Sequence, residues 1–290
     1  MIPQTLKTER MQFITPCFCA GAEQTEPEVR AASLRGELRW WFRCLGGNRE
    51  QEKKVFGAAA GGDNRSSSVA LLVLDVKKRA ENFNWIFESP PKQVSKEQYD
   101  DRPVNSSYIT FFLSKAERDQ AYLPPGTQFT LELRLLRRIG EKERELLDLA
   151  WDCMCNLGSI GARSTRGLGA MAPCDASKCC AEDLLNNERF RQYFEKCSLP
   201  YRSQDFTSPD TLTKVLKTCA QKLKDYRKGL KELIKSLGGL SVFGGIEPIR
   251  QKSAVRLRPY LGKDGELHIT ILKAPMITVS PQARKGDIHL

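Results

Sequence analysis

The chain has 290 residues, carries 46 Lys and Arg against 35 Asp and Glu for a net charge of +11, and is 40% hydrophobic and 28% charged. That balance excludes an intrinsically disordered chain, which holds too few apolar residues, and a helical membrane protein, whose spans need about 18 consecutive apolar residues; the longest strongly apolar stretch here is Val69–Leu74. At roughly 100–200 residues per domain the length predicts two domains, and Met1-Ile2-Pro3-Gln4 lacks the basic-then-apolar layout of a signal peptide, so a cytoplasmic location with no membrane association is expected.

The positive excess points to an anionic partner such as a phosphate polymer, the plain alternative being a basic surface that only keeps the protein soluble. Ten cysteines without an export signal read as free thiols. Cys17/Cys19, Cys153/Cys155, Cys179/Cys180 and a lone Cys174-x4-Cys179 give no paired C-x-x-C, and histidine occurs only at 268 and 289, so no metal site and no cofactor are predicted.

In chain order, Arg10–Ile14 reads as a short strand ending at Thr15-Pro16, followed by a polar loop to Ala32. Ser33 is the expected cap of a helix whose Leu34, Leu38, Trp41, Phe42 and Leu45 recur at helical spacing, with Gly46-Gly47 ending it. Val55-Phe56-Gly57 leads into a flexible stretch, Ala58–Ser67, and a strand, Val69–Val76. Lys77–Ser107 reads as a mobile, charged insertion, and Tyr108–Leu113 and Gln128–Leu136 as strands, the second alternating Phe129, Leu131, Leu133 and Leu135 inward. A second helix carries Leu146, Leu149, Ala150, Cys153, Met154 and Leu157 on one face, runs into a glycine-rich segment, Gly158–Gly169, and is followed by a short strand to Ala172. With one surplus strand, this order is β-α-β-β-α-β, the ferredoxin-like arrangement.

Pro173–Lys178 reads as a linker between a domain at 1–172 and a second at 173–290. Beyond it, Ala181–Lys196 and Thr211–Leu237 are predicted helices, and Val255/Leu257 and Leu267/Ile269/Ile271 two strands joined by a hairpin at Gly262–Gly265. Val55-Phe56-Gly57 and Val242-Phe243-Gly244 stand at matching points of the two halves, which suggests a duplicated α+β unit.

Chemistry concentrates in two places. The Gly158–Gly169 segment sets Gly158, Gly161, Gly167 and Gly169 around Arg163 and Arg166, so that backbone N–H groups and guanidinium donors can meet one anion; a loop needing glycine only for a tight turn is the alternative. It lacks the P-loop and dinucleotide fingerprints. On the first helix Arg35, Arg39 and Arg43 recur at i, i+4, i+8, with Arg30 and Trp40 near, a combination suited to the phosphates and splayed bases of single-stranded RNA. Between Lys214 and Lys235 eight basic residues against two acidic ones form a diffuse positive face. No catalytic residues are predicted, because no nucleophile elbow, no H-E-x-x-H and no histidine beside the glycine loop is present; Asp100-Asp101 reads as solvated loop.

Four blocks, Thr15–Ala22, Arg30–Arg43, Val55-Phe56-Gly57 and Leu157–Gly169, in this order and spacing, resemble the RAMP proteins of type III-B CRISPR systems, with the nearest likeness to the subunit at the 3′ end of the guide RNA in the Cmr effector complex. The resemblance implies an α+β fold of two tandem ferredoxin-like (RRM-like) domains with a glycine-rich loop, the second divergent or incomplete. It implies a non-catalytic RNA-binding subunit in antiviral defence, with guide RNA, target single-stranded RNA and other Cmr RAMP subunits as partners. It assigns RNA contact to Arg30, Arg35, Arg39, Trp40, Arg43, Gly158, Gly161, Arg163, Arg166, Gly167 and Gly169. Thr165 stands where the family's loop often has a third arginine, and Ala20 where its N-terminal motif often has glycine. A RAMP endoribonuclease and an assembly subunit without RNA contact are the competing readings.

Overall fold

The computed structural model describes residues 3–23, 25–58, 64–79, 122–203, 213–218, 220–225 and 255–275. Its elements in the first half are β1 (Gln4–Phe13), α1 (Ala31–Cys44), α2 (Arg49–Phe56), β2 (Val69–Lys77), β3 (Gln128–Leu135), α3 (Glu141–Leu157) and β4 (Met171–Pro173). The strands form one antiparallel sheet in the order β2-β3-β1-β4, so β1 lies inside it, paired on both edges. That pairing explains why β1 starts six residues before the predicted Arg10: Gln4–Glu9 is mostly polar, and its strand form comes from register with β3, Gln4 opposite Leu135 through Gln12 opposite Gln128, rather than from its own pattern.

The two helices pack by the faces their spacing predicts. Leu34, Leu38, Trp41, Phe42 and Leu45 are fully buried and share a core with Ala150, Cys153, Met154 and Leu157 of α3 and Met11, Phe13, Phe129, Leu131 and Leu133 of the sheet. Truncating one such leucine costs about 2–5 kcal/mol.

Several boundaries differ from expectation. The cap of α1 is Arg30, not Ser33, whose hydroxyl instead faces Cys19 Sγ at 3.7 Å. Val55 and Phe56 close α2, a helix not expected; Asn48 and Gln51 start it with a reciprocal capping box, the Gln51 N–H donating to Asn48 Oδ1 at 2.9 Å. The predicted linker holds the end of β4 and a 3-10 turn at Ala176–Lys178, so the 172/173 division falls inside β4. The predicted Ala181–Lys196 helix is two short ones, α4 (Ala181–Asn186) and α5 (Glu188–Tyr193), broken at Asn187, whose side chain caps α5; strand β5 (Glu195–Ser203) follows. The segment at 80–121, with Tyr108–Leu113 and Asp100-Asp101, and Val242-Phe243-Gly244 lie outside the described residues.

The second half adds β6 (Val255–Leu261) and β7 (Leu267–Lys273), joined as predicted by a turn at Gly262–Gly265, in an antiparallel sheet ordered β5-β7-β6. Val255, Leu257, Leu267, Ile269 and Ile271 meet Val215, Leu216, Ala220 and Leu223 of the helical residues at 213–218 and 220–225. Among the described residues no helix is long and apolar enough to cross a membrane.

Candidate nucleic-acid interface

The arginines of α1 share one side of the helix, and that side faces α2. Arg35 donates to the Phe56 carbonyl, Arg39 meets Glu52 at 2.6 Å through Nη2, and Arg43 Nε lies 3.8 Å from the same carboxylate. Glu52 is 8% exposed, so α2 lends one shielded carboxylate to two of the three guanidinium groups and a backbone carbonyl to the third, and leaves a local positive excess. Burial and the neighbouring Arg39 lower the pKa of Arg35. Arg30 lies at the helix start, donating to Ala20 O at 3.3 Å and paired with Glu28 at 3.2 Å.

Trp41 is core, whereas Trp40 is half-buried with the Arg256 guanidinium 3.5 Å from its ring centroid and Phe194 against it edge-on. Arg256 therefore lies over one face of the ring proposed for base stacking.

The glycine-rich segment is a closed loop whose base is the Ser159–Ala170 bridge and an Ile160 N–H bond to Gly169 O. Gly161, Gly167 and Gly169 take positive φ, and so does Arg163, at 60°. A Cβ on Gly161 would lie 2.6 Å from Phe18 O, and one on Gly169 would overlap Ile160 O. The Ala162 N–H bonds to Phe18 O, the Gly169 N–H to Pro16 O, and Thr15 Oγ1 bridges Gly167 O and the Ala170 N–H at 2.8 Å each. Much of the loop's donor capacity thus seats it on the 15–18 segment, the turn-and-packing role weighed above; Arg163 and Arg166 stay half-exposed.

Loop and arginine stripe do not face each other across α1. The loop reaches α1 through Glu37, which accepts the Ser159 N–H at 3.5 Å, while the stripe turns to Glu52 and Phe56. The two are separate patches joined through the helix.

Sequence reasoning missed what lies between them. Glu37 Oε1 accepts from Arg258 Nη2 at 2.7 Å, and Glu37 Oε2 lies 3.6 Å from Arg256 Nη1. Arg258 is fully buried; its guanidinium carbon lies 5.6 and 5.8 Å from the Trp40 and Trp41 centroids. Burial lowers the Arg258 pKa, against the pull of Glu37, and pushes Arg256 to about 10. Strand β6 also touches the loop directly: the Leu257 N–H bonds to Thr165 O at 3.0 Å, and Leu257 bridges Arg166 in parallel. The available signal was the alternation Val255-Arg256-Leu257-Arg258, which reads as one solvated face; both faces are covered.

Beside the loop, Cys19 is held down to about 6 by hydrogen bonds from Cys17 and Ser33 and by Arg30, while burial pushes Cys17 up. Cys17 and Cys19 are free thiols, as are Cys44, Cys153, Cys155, Cys174, Cys179 and Cys180. Of the lysine face, Lys217 and Lys224 are half-exposed, and Lys228, Lys231 and Lys235 lie outside the described residues.

Residues 10–172, nearly the span of the four-stranded sheet, match the RAMP superfamily. Two proteins of Pyrococcus furiosus (strain ATCC 43587 / DSM 3638 / JCM 8422 / Vc1) are similar. Cmr subunit Cmr1-1 of its CRISPR system is 32% identical over 170 residues, 54% of this chain and 44% of that protein, so the chain spans less than half of this relative. Cmr subunit Cmr1-2 is 29% identical over 184 residues, 56% of this chain and 91% of that protein. The crystal structure of Cmr1 from Pyrococcus furiosus in its apo form shares the fold, with a TM-score of 0.54 and 21% identity over 99% of this chain and 92% of that one. With a family match across more than half its length and an antiparallel α+β core over the same residues, the chain belongs to the RAMP superfamily.

Proposed function

We propose that this chain is an RNA-binding subunit of a type III-B CRISPR (Cmr) effector complex, holding single-stranded RNA, the 3′ region of the guide or the target, without cleaving it, next to other RAMP subunits. The observation that carries the reading is the similarity to two Cmr1 proteins over more than half of the chain, together with a family match at residues 10–172 that spans both arginine patches. In this reading the βαββαβ half, with sheet order β4-β1-β3-β2, is a first ferredoxin-like unit, and the three-stranded sheet with the helical residues at 213–218 and 220–225 is an incomplete second one. Arg30, Arg163 and Arg166 with the glycine loop, and Arg35, Arg39 and Arg43 on α1, bind phosphates, and Trp40 adds an aromatic edge.

The test is RNA affinity of the full chain against salt. Replacing Arg30 and Arg166 by alanine removes two charges, and lowers the slope of log K against log salt by about 1.4 if each contacts one phosphate of a single strand. Unchanged affinity and slope in that variant would refute the loop as an RNA contact.

One observation favours a ribonuclease as second reading. His268 Nε2 lies 3.1 Å from Asp264 Oδ1 and its ring stacks on Tyr260, an arrangement able to move a proton. Cleavage of labelled RNA by wild type but not by His268→Ala would establish it.

A further inference from the structure

A third basic feature lies away from the glycine loop and the arginine stripe, where the end of α2, the start of β2 and the β3–α3 connection meet. Lys54, Arg65, Arg137 and Arg138, with Ser68 and Gly140, line a pocket of about 330 Å³. Ser68 holds its frame: its N–H bonds to Val55 O at 3.0 Å, its hydroxyl to Lys54 O at 2.7 Å, and its carbonyl accepts from the Leu136 N–H at 2.7 Å and the Arg137 N–H at 3.3 Å. The rim is therefore set by backbone bonds between three elements.

The charges are unequal in their commitments. Lys54 is 3.4 Å from Glu143, a buried carboxylate that also folds back over Gly140 at the start of α3. Among the described residues, no ion pair involves the guanidinium of Arg65, Arg137 or Arg138. Three exposed arginines on one concavity, with no carboxylate among its described lining residues, repel one another until an anion enters. Among the described lining residues Ile139 is the one hydrophobic side chain and none is aromatic, so these residues offer a base or sugar no stacking surface. Arginine forks match the oxygens of a phosphate, which they bind bidentately.

We infer that this pocket is a phosphate-binding site, taking either a backbone phosphate of single-stranded RNA or a free polyphosphate. The RNA source rests on the function proposed above; the pocket does not.

The test uses the full chain, inorganic pyrophosphate by calorimetry and a single-stranded RNA by anisotropy, on four proteins: wild type, Arg137→Ala/Arg138→Ala, Arg137→Lys/Arg138→Lys, and a control, Lys214→Ala/Lys222→Ala, that removes two exposed charges elsewhere. The alanine pair weakens pyrophosphate at least about tenfold, the loss of one charge-assisted hydrogen bond, and the lysine pair weakens it less. A parallel fall in RNA affinity, beyond that of the control, identifies the backbone of RNA as the source; unchanged RNA affinity identifies a free polyphosphate. If wild type binds pyrophosphate but no RNA, the proposed function fails while the pocket stands. Equal pyrophosphate affinity in wild type and the alanine pair, a loss matched by the control, or no pyrophosphate binding together with unchanged RNA affinity overturns the inference.

Discussion

At the scale of single residues, backbone conformation and proton affinity make opposite demands of similar side chains. Gly169, at φ +64° and closed in by Ile160 O, tolerates no Cβ, so Gly169→Ala loses about 2–4 kcal/mol from strain and overlap. Gly36 sits inside α1 with nothing within 4 Å of its missing Cβ, and Gly36→Ala gains about 0.5–1 kcal/mol. Urea midpoints of the two variants check both signs. Cys19, drawn down to about 6 from an ordinary 9, ionises within the neutral range. Its contribution to stability is whole above pH 9 and is lost as the pH falls through 6, because the unfolded thiol then binds the proton the folded thiolate refused. A thiolate absorbance step near pH 6, missing from Cys19→Ser, is the expected record, and Arg30→Ala moves it upward.

At the scale of elements, α1 serves two neighbours with its two flanks. One meets α2 through Glu52; the other meets β6 through Glu37. Glu37→Gln leaves Arg256 and Arg258, both buried, without their shared counter-charge and costs about 3–5 kcal/mol, whereas Glu37→Met/Arg256→Met/Arg258→Met removes all three charges and recovers most of that loss. Thermal or urea unfolding of the single and triple variants decides it. The apolar stripes of α1 and α3 were legible because a 3.6-residue period is a local property. The helix α2 was signalled by Asn48 and Gln51, but its short, charge-rich run R-E-Q-E-K-K offered no apolar period, and its two apolar residues stand at its end. The first half of β1 was hidden for a different reason: its partners lie more than 100 residues away.

At the scale of the whole molecule, the two sheets are not independent units strung on a linker. Strand β6 presents Val255 and Leu257 to the second core, Arg256 and Arg258 to α1 and Tyr260 to the first core, and it bonds to the glycine loop on the way. Truncation after Phe194 therefore uncovers Glu37 and Trp40 and frees one side of the loop. The shortened chain melts below the full one, and hydrogen exchange at residues 161–168 quickens; unchanged exchange would show that the 15–18 segment alone holds the loop. The charge excess, the apolar faces of α1 and α3, the succession β1, α1, β2, β3, α3, β4 without the intervening α2, and the two arginine groups are legible in the amino-acid order, because composition and short-range periodicity are written in neighbouring residues. The fold alone turns the arginine stripe to Glu52 and the glycine loop to Glu37, lays Arg256 over Trp40, and gathers three further arginines at one pocket. Those pairings join residues tens to hundreds of positions apart, and no local pattern encodes which side of a helix a distant carboxylate will reach.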